Sequence, residues 1–212
     1  MNDSTHENEV IFLGHYGSDW THACSAWTST ARDLTDEKKE RMPAMLKMLA
    51  SEGHHTPFEK SSLHFLVTAD IASHIHCLKH RIAVSVNCES ARYKELKDDR
   101  FYVPVDWPEE ERLRLETHCI ECFRSYHGAL ERLVASGMPR KRAKESARFY
   151  LPYAAQLQFD IMFNFRSFVH FLGLRNKPEA QMEIRCAAAE MLELVRGIEG
   201  SPFEHTLAAF DL

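Results

Sequence analysis

The sequence predicts an α+β fold, a central sheet flanked by helices, and three observations carry that reading. Between residues 157 and 165, Leu157, Phe159, Ile161, Phe163 and Phe165 point one way, while Gln156, Gln158, Asp160, Asn164 and Arg166 point the other. Met162 is the one exception, and a period of two is that of a strand with one buried face. From residue 178 to 197, Ala180, Ile184, Ala187, Met191 and Val195 recur at helical spacing. The stretch from Pro108 to Ser136 is the longest helical segment, and Glu109, Glu110 and Glu111 at its start suit the positive end of a helix dipole. Strands and helices follow no regular β-α-β alternation, which points to α+β rather than a doubly wound sheet.

The remaining elements follow in chain order. Residues 9–14 (EVIFLG) read as a short apolar strand. Residues 36–51 form a helix opening on acids, with Pro43 expected in its first turns or at a break, because proline lacks the N–H the helix interior needs. His54-His55-Thr56-Pro57-Phe58-Glu59 is a polar turn, 61–68 a strand, 70–80 a helix and 82–87 an extended segment. Residues 139–148 (PRKRAKESAR) read as a basic helix with proline at its first position.

Residues 1–212 are read as one domain, with 1–8 a flexible tail, since no Gly/Ser/Pro-rich linker or repeat divides the chain. The balance of 26 Lys and Arg against 31 Asp and Glu gives −5, which disfavours a general nucleic-acid binder but allows a local cationic pocket. A polar, acidic start and the absence of a long apolar run point to a cytoplasmic protein with reduced thiols.

Several clusters invite chemistry. Cys119 and Cys122 sit three apart on a helix after His118, a spacing that a helix face packed into a core explains better than a zinc site, which needs four ligands. His76 and His80, beside His74, are four apart on a predicted helical face but have no carboxylate as a third ligand, so no metal is expected. In the basic helix, Arg148 adjoins Phe149-Tyr150-Leu151 and is expected to lie nearest the core, as the one cation facing inward. The polar side of strand 156–166 is either a solvated sheet face or the wall of a cleft, and periodicity does not choose between them. The densest polar segment is Cys77–Tyr93 (CLKHRIAVSVNCESARY), where cations precede an Ile82-Val84-Val86 alternation and a Ser/Arg loop follows it, an arrangement suited to a phosphate-bearing ligand.

At that segment the chain resembles the flavin-dependent thymidylate synthases. Their signature is Arg-His-Arg, seven residues, then Ser, running into Ser-x-Arg-Tyr. Here it stands as Lys79-His80-Arg81, eight residues, then Ser90-Ala91-Arg92-Tyr93. Four further segments follow the family's order: His54–Glu59, Arg148 through Leu151-Pro152, Asn164-Phe165-Arg166-Ser167, and Leu174-Arg175 through Ala180-Gln181-x-Glu183-Ile184. Together they span about residues 20–200.

The resemblance implies a homotetramer with active sites shared between subunits, using FAD, deoxyuridylate, methylenetetrahydrofolate and NADPH. It implies flavin contacts at Thr56, Lys79, His80, Arg81, Glu89, Asn164, Arg166 and His170, the last replacing the family's more usual Asn. It implies nucleotide contacts at His76, where Gln is common, and at Lys79, Glu89, Ser90, Ala91, Arg92, Arg148 and Arg175. The reaction would be methylation at carbon 5 of the uracil ring. Arg175 would stabilise the ionised ring, Arg92 and Arg148 would hold the phosphate, and His54 would orient folate or relay a proton. Ser90 is expected to donate a hydrogen bond rather than attack, because the sequence offers it no adjacent base. Two alternatives stand beside this: the same methylation on UMP, suggested by His76, Lys79, Cys88 and the longer spacer, and a non-catalytic flavin- or nucleotide-binding relative.

Overall fold

The computed structural model describes residues 7–30, 33, 35–90, 95–96 and 98–212. Four strands, β1 (Glu9–Tyr16), β2 (Ser62–Asp70), β3 (Val84–Cys88) and β4 (Gln156–Phe163), form one sheet in the order β1-β2-β4-β3. The pairing is antiparallel throughout. Asn8, before β1, bonds Asp70 at the end of β2; Thr68 and His64 of β2 meet Gln158 and Asp160 of β4; and Ala83 and Glu89 bond Asn164 and Gln158. The helices are α1 (Asp19–Trp27), α2 (Asp36–Ser51), α3 (Ile71–Leu78), α4 (Glu109–Ala135), α5 (Arg140–Ala147), α6 (Phe165–Arg175), α7 (Met182–Arg196) and α8 (Glu204–Ala209), with 3-10 turns at Thr56–Glu59 and Arg148–Tyr150. An α+β fold is therefore what these residues adopt. Among the described residues no helix is long and apolar enough to cross a membrane.

The chain gathers into two compact units. One comprises Val67–Lys79 and Asn87–Phe159 with the start of the chain up to Glu9. Its core packs Phe101, Val103, Cys119, Phe123 and Ala155 in one cluster and Tyr126, Ala129, Leu130, Ala143 and Ala147 in another. Cys119 is thus a core side chain, and burial, followed by the charge on Cys122, pushes its thiol up to about 12. Ala143 and Ala147, four apart, are the members of α5 that face inward. Arg148, the next residue, is rotated away and exposed, and Phe149 beside it is 83% exposed, so the expectation that Arg148 lies nearest the core is corrected. Gln156 departs from the sequence reading too. It is buried, and its amide nitrogen donates to the Asn8 side chain at 3.0 Å and the Glu7 carbonyl at 3.1 Å.

The other unit comprises Val10–Leu66, His80–Val86 and Asp160–Leu212. Its core is aromatic: Phe65, Phe163, Phe168 and Phe171 pack ring against ring, as do Phe58, Phe165, Phe203 and Phe210. Pro43 lies well inside α2, at its eighth residue, without ending it, contrary to the expectation of a place in the first turns or a break. Only Leu46 of that helix is fully buried, so the carbonyl that proline leaves without a donor can meet water. β4 stops two residues earlier than the alternation suggests. Asn164 caps α6 by accepting from the Ser167 backbone N–H at 2.8 Å, which places Phe165 and Arg166 on a helix rather than a strand.

A buried polar network runs through this second core. His22 bonds the Ser61 hydroxyl through Nε2 at 2.8 Å and the Thr206 hydroxyl through Nδ1 at 2.9 Å. Asp19 accepts from the Thr206 hydroxyl and from the backbone N–H groups of His205 and Thr206. Burial lowers the His22 pKa from 6.5 to about 4, so His22 is neutral when folded and binds a proton more readily when unfolded. Stability from this site is complete above about pH 6.5 and is lost as pH falls toward 4. His22→Gln should flatten that part of a pH series of urea midpoints; an unchanged slope between pH 4 and 6.5 would refute the assignment.

Candidate active site

A cluster of candidate site residues lies in each unit, and each is described separately. In the unit of β1 and α6, a cavity of about 490 Å³ is lined by Ile82, Ala83, Asn164, Arg166, Val169 and His170, among others. Asn164 stands at its cap position because strand β4 runs directly into helix α6. Arg166, one turn position on, donates to the Glu59 carboxylate at 2.6 Å, which fixes the direction of a half-exposed guanidinium. The floor is held by two further bonds: Ser167 Oγ donates to the Ile82 carbonyl at 2.8 Å, and the Asn164 N–H donates to the Ala83 carbonyl at 3.3 Å. Ala83 is left-handed, at φ 53°, a conformation that costs an L-residue about 1–2 kcal/mol and that these contacts hold in place. Cavity residues not named as site residues from the sequence are His55, Glu59, Ile82, Ala83, Ser167 and Val169; His55 and Glu59 were visible there only within the His54–Glu59 segment, and Ser167 only as the end of Asn164-Phe165-Arg166-Ser167.

Behind the cavity, Arg175 at the end of α6 donates through Nε to His80 Nε2 at 3.0 Å. That bond requires His80 Nε2 to be unprotonated. The His80 ring lies 6.0 Å from that of His170 and packs edge-on to Phe171 at 5.0 Å, which places His80 between Arg175 and the cavity residue His170. His80 is buried beyond the end of α3, which stops at Leu78, so it does not share a helical face with His76. Arg81, Thr56 and His54 are exposed; His54 stands in the turn before Thr56, and it is His55 that lines the cavity.

In the other unit, Glu89 is tied to β4: its N–H donates to the Gln158 carbonyl at 2.8 Å, and its carboxylate accepts from the Gln158 N–H at 3.4 Å. Ser90 follows it, half-buried, with Lys79 exposed and His76 half-buried on α3. Ala91 and Arg92 lie outside the described residues, and Arg148 is exposed on its 3-10 turn. Burial, then the Glu89 charge, pushes the Cys88 thiol up to about 11, which leaves it protonated and a poor nucleophile at neutral pH.

Comparison with known proteins gives these clusters a context. The family model described as "thymidylate synthase complementing protein" matches residues 13–203. A flavin-dependent thymidylate synthase from Pseudothermotoga lettingae is 32% identical over 89% of this chain and 85% of its own length. One from Geobacter sulfurreducens is 36% identical over 79% of this chain and 73% of its own. Among solved structures, the UMP/dUMP methylase PolB from Streptomyces cacaoi, bound with 5-Br dUMP, superposes with a TM-score of 0.80 at 26% identity, covering 98% of this chain and 97% of that one. The same enzyme bound with 5-Br UMP gives a TM-score of 0.78. Fold and relatives together define an enzyme of the methyltransferase class. The chain belongs to the thymidylate synthase complementing protein family, whose curated members named above are flavin-dependent thymidylate synthases.

Proposed function

We propose that this enzyme methylates carbon 5 of deoxyuridylate to give thymidylate, with methylenetetrahydrofolate as one-carbon donor, FAD as cofactor and NADPH as reductant. The observation that carries the reading is the Arg175–His80 bond, which fixes a guanidinium at the family's Leu-Arg position. The same methylation on UMP is the second reading, favoured by structural neighbours that are UMP/dUMP methylases.

The donor set around the 490 Å³ cavity fits a flavin: a guanidinium, an imidazole and an amide sit beside the apolar Ile82 and Val169, as a polar-edged aromatic ring and its phosphates require. When bound, that group supplies hydride chemistry. Asn164, Arg166, His170 and His80 would hold it, with Thr56, Lys79, Arg81 and Glu89. His76, Lys79, Glu89, Ser90, Ala91, Arg92, Arg148 and Arg175 would bind the nucleotide. Arg175 places positive charge against the imide edge of the uracil, favouring the ionised, electron-rich ring. Arg92 and Arg148 take the phosphate as guanidinium forks. Ser90 donates a hydrogen bond to the nucleotide, and His54 serves folate from the solvent side. The working unit is a homotetramer with shared sites, a reading supported by Ile11, Leu13 and Met162, apolar residues 40–49% exposed on the strands.

The test is to desalt the protein after adding FAD, read its flavin absorbance and molar mass, and assay dUMP and UMP side by side. Retained flavin, a tetrameric mass by light scattering and carbon-5 methylation are expected. A folded protein that holds no flavin and methylates neither nucleotide overturns the reading. Ser90→Ala should weaken nucleotide affinity by about tenfold, as loss of one hydrogen bond does, while leaving measurable methylation. Unchanged affinity with no turnover would make Ser90 the nucleophile instead.

A further inference from the structure

A second cavity, of about 400 Å³, is lined by the end of α1 and one face of α2 and shares no lining residue with the 490 Å³ cavity. Trp27 and Thr30 line it from the α1 side, and Lys38, Arg41, Met45 and Met48 from α2. Those four α2 positions are three, four and three apart, so they form one stripe along the helix. The stripe is graded: cations occupy its N-terminal half and thioethers its C-terminal half, over about 15 Å of helix. Trp27 is buried and fixed, with the Trp20 ring edge-on at 5.7 Å and Lys38 Nζ 5.8 Å from its ring centre. Lys38 also donates to the Asp33 carboxylate at 2.7 Å. Arg41 is exposed and has no hydrogen-bond or ion-pair partner among the described residues. The site is thus an apolar wall of one indole and two thioethers with cations at one end, and among the described residues no carboxylate lines it.

That lining narrows the ligand. A cation would meet Lys38 and Arg41 with no lining carboxylate to balance it. A bare phosphate would engage Arg41 and leave the apolar wall in water. A purely apolar ligand would cover the wall and place nothing against Arg41. A flat ring that carries a carboxylate satisfies both ends: the ring packs on Trp27 and Met45, where aromatic and sulfur–aromatic contacts are favourable, and the carboxylate meets the Arg41 guanidinium as a fork. Thr30 Oγ1 already donates to the Trp27 carbonyl at 3.4 Å, so its lone pairs remain for an N–H on the ligand. We propose that this cavity is a second ligand site, for an aryl carboxylate of the benzoyl-amino-acid type, with its ring over Trp27 and Met45 and its acid toward Arg41. Such a group has two sources, the p-aminobenzoyl-glutamate end of a folate or a free aromatic acid. The proposal stands apart from the carbon-5 methylation reading.

The probe is 4-aminobenzoyl-glutamate, titrated by calorimetry into the full-length protein beside its uncharged diester. The acid should bind saturably, more tightly than the diester, and more weakly as ionic strength rises. Arg41→Glu and Met48→Glu should each weaken it about tenfold, the first by reversing the charge that meets the acid and the second by setting a carboxylate against the ring. Both positions are exposed, so melting temperatures should stay unchanged, and if one variant fails to fold the other carries the comparison. No saturable binding, equal affinity for acid and diester, or an affinity that neither variant moves would overturn the proposal. The source is decided separately. Displacement of the probe by tetrahydrofolate, with Arg41→Glu raising the KM for methylenetetrahydrofolate at unchanged kcat, assigns the site to the folate tail. Probe binding that tetrahydrofolate does not disturb assigns it to a free aromatic acid. If neither nucleotide is methylated, the methylation reading fails and the calorimetry still decides this site.

Discussion

Arg175→Ala is expected to keep its fold and its flavin and to lose methyl transfer by about 10²–10³-fold, or ~2.7–4 kcal/mol, the scale on which one preorganised charge acts at a transition state. Arg175 sits at the C-terminal end of α6, where a cation is favourable, and its Nε is committed to His80. The side chain is therefore oriented before substrate arrives, and removing it takes away a charge that need not be reorganised during the reaction. In the proposed reaction, oxidation of NADPH should change far less, because that half would precede charge development on the uracil ring. Arg175→Lys should recover only part of the loss, since a lysine cannot reproduce the planar donor that His80 holds. Stopped-flow measurement of the two half-reactions separates them. Equal loss in both would show that the residue supports binding or folding in general.

Asp19→Ala is expected to cost about 3 kcal/mol, lowering the melting temperature by roughly 6–12 °C for a chain of this length. The carboxylate takes three donors at the start of α8: the His205 and Thr206 backbone N–H groups and the Thr206 hydroxyl. Alanine leaves both backbone N–H groups without partners and the Thr206 hydroxyl with His22 alone, in a site where Thr206 and His22 are fully buried. Asp19→Asn keeps one acceptor oxygen without the charge and should cost about half as much. Thermal unfolding of both variants checks this, and a loss below about 1 kcal/mol for alanine would show that water replaces the carboxylate.

Elements whose burial is apolar were legible in the sequence. α7 and β4 announced themselves by period, since each presents one apolar face to the core, and α4 by its length and its acidic start. The start of α6 was hidden because Phe163 and Phe165 satisfy both periods: they continue the alternation of β4, while Phe165, Phe168, Phe171 and Leu172 already follow the helix. α1 and α8 escaped for another reason. Their inward faces carry Asp19, His22 and Thr206, which read as surface residues until the 184-residue separation between His22 and Thr206 is closed. The candidate site residues came from the order of motifs, not from pattern. Nothing in the spacing of Arg148 showed that it turns outward, because that depends on Ala143 and Ala147 filling the space against α4.

The left-handed turn at Ala83 bears on how the segment after it tolerates change in length. Ala83 bonds Asn164 and Glu89 bonds Gln158, so six steps along β3 match six along β4, and no residue is bulged out between them. A residue added to this segment without disturbing the ladder would therefore be absorbed outside it, and the strained turn at Ile82-Ala83 is where the backbone departs from strand geometry. A deletion made at that turn would shorten the loop and leave β3 in register. The same deletion made within Val84–Cys88 would exchange the faces on which Ser85 and Asn87 stand, because side chains alternate with a period of two. Divergence of spacer length among related enzymes can thus proceed one residue at a time at the turn, without disturbing the sheet that carries Glu89 and Ser90.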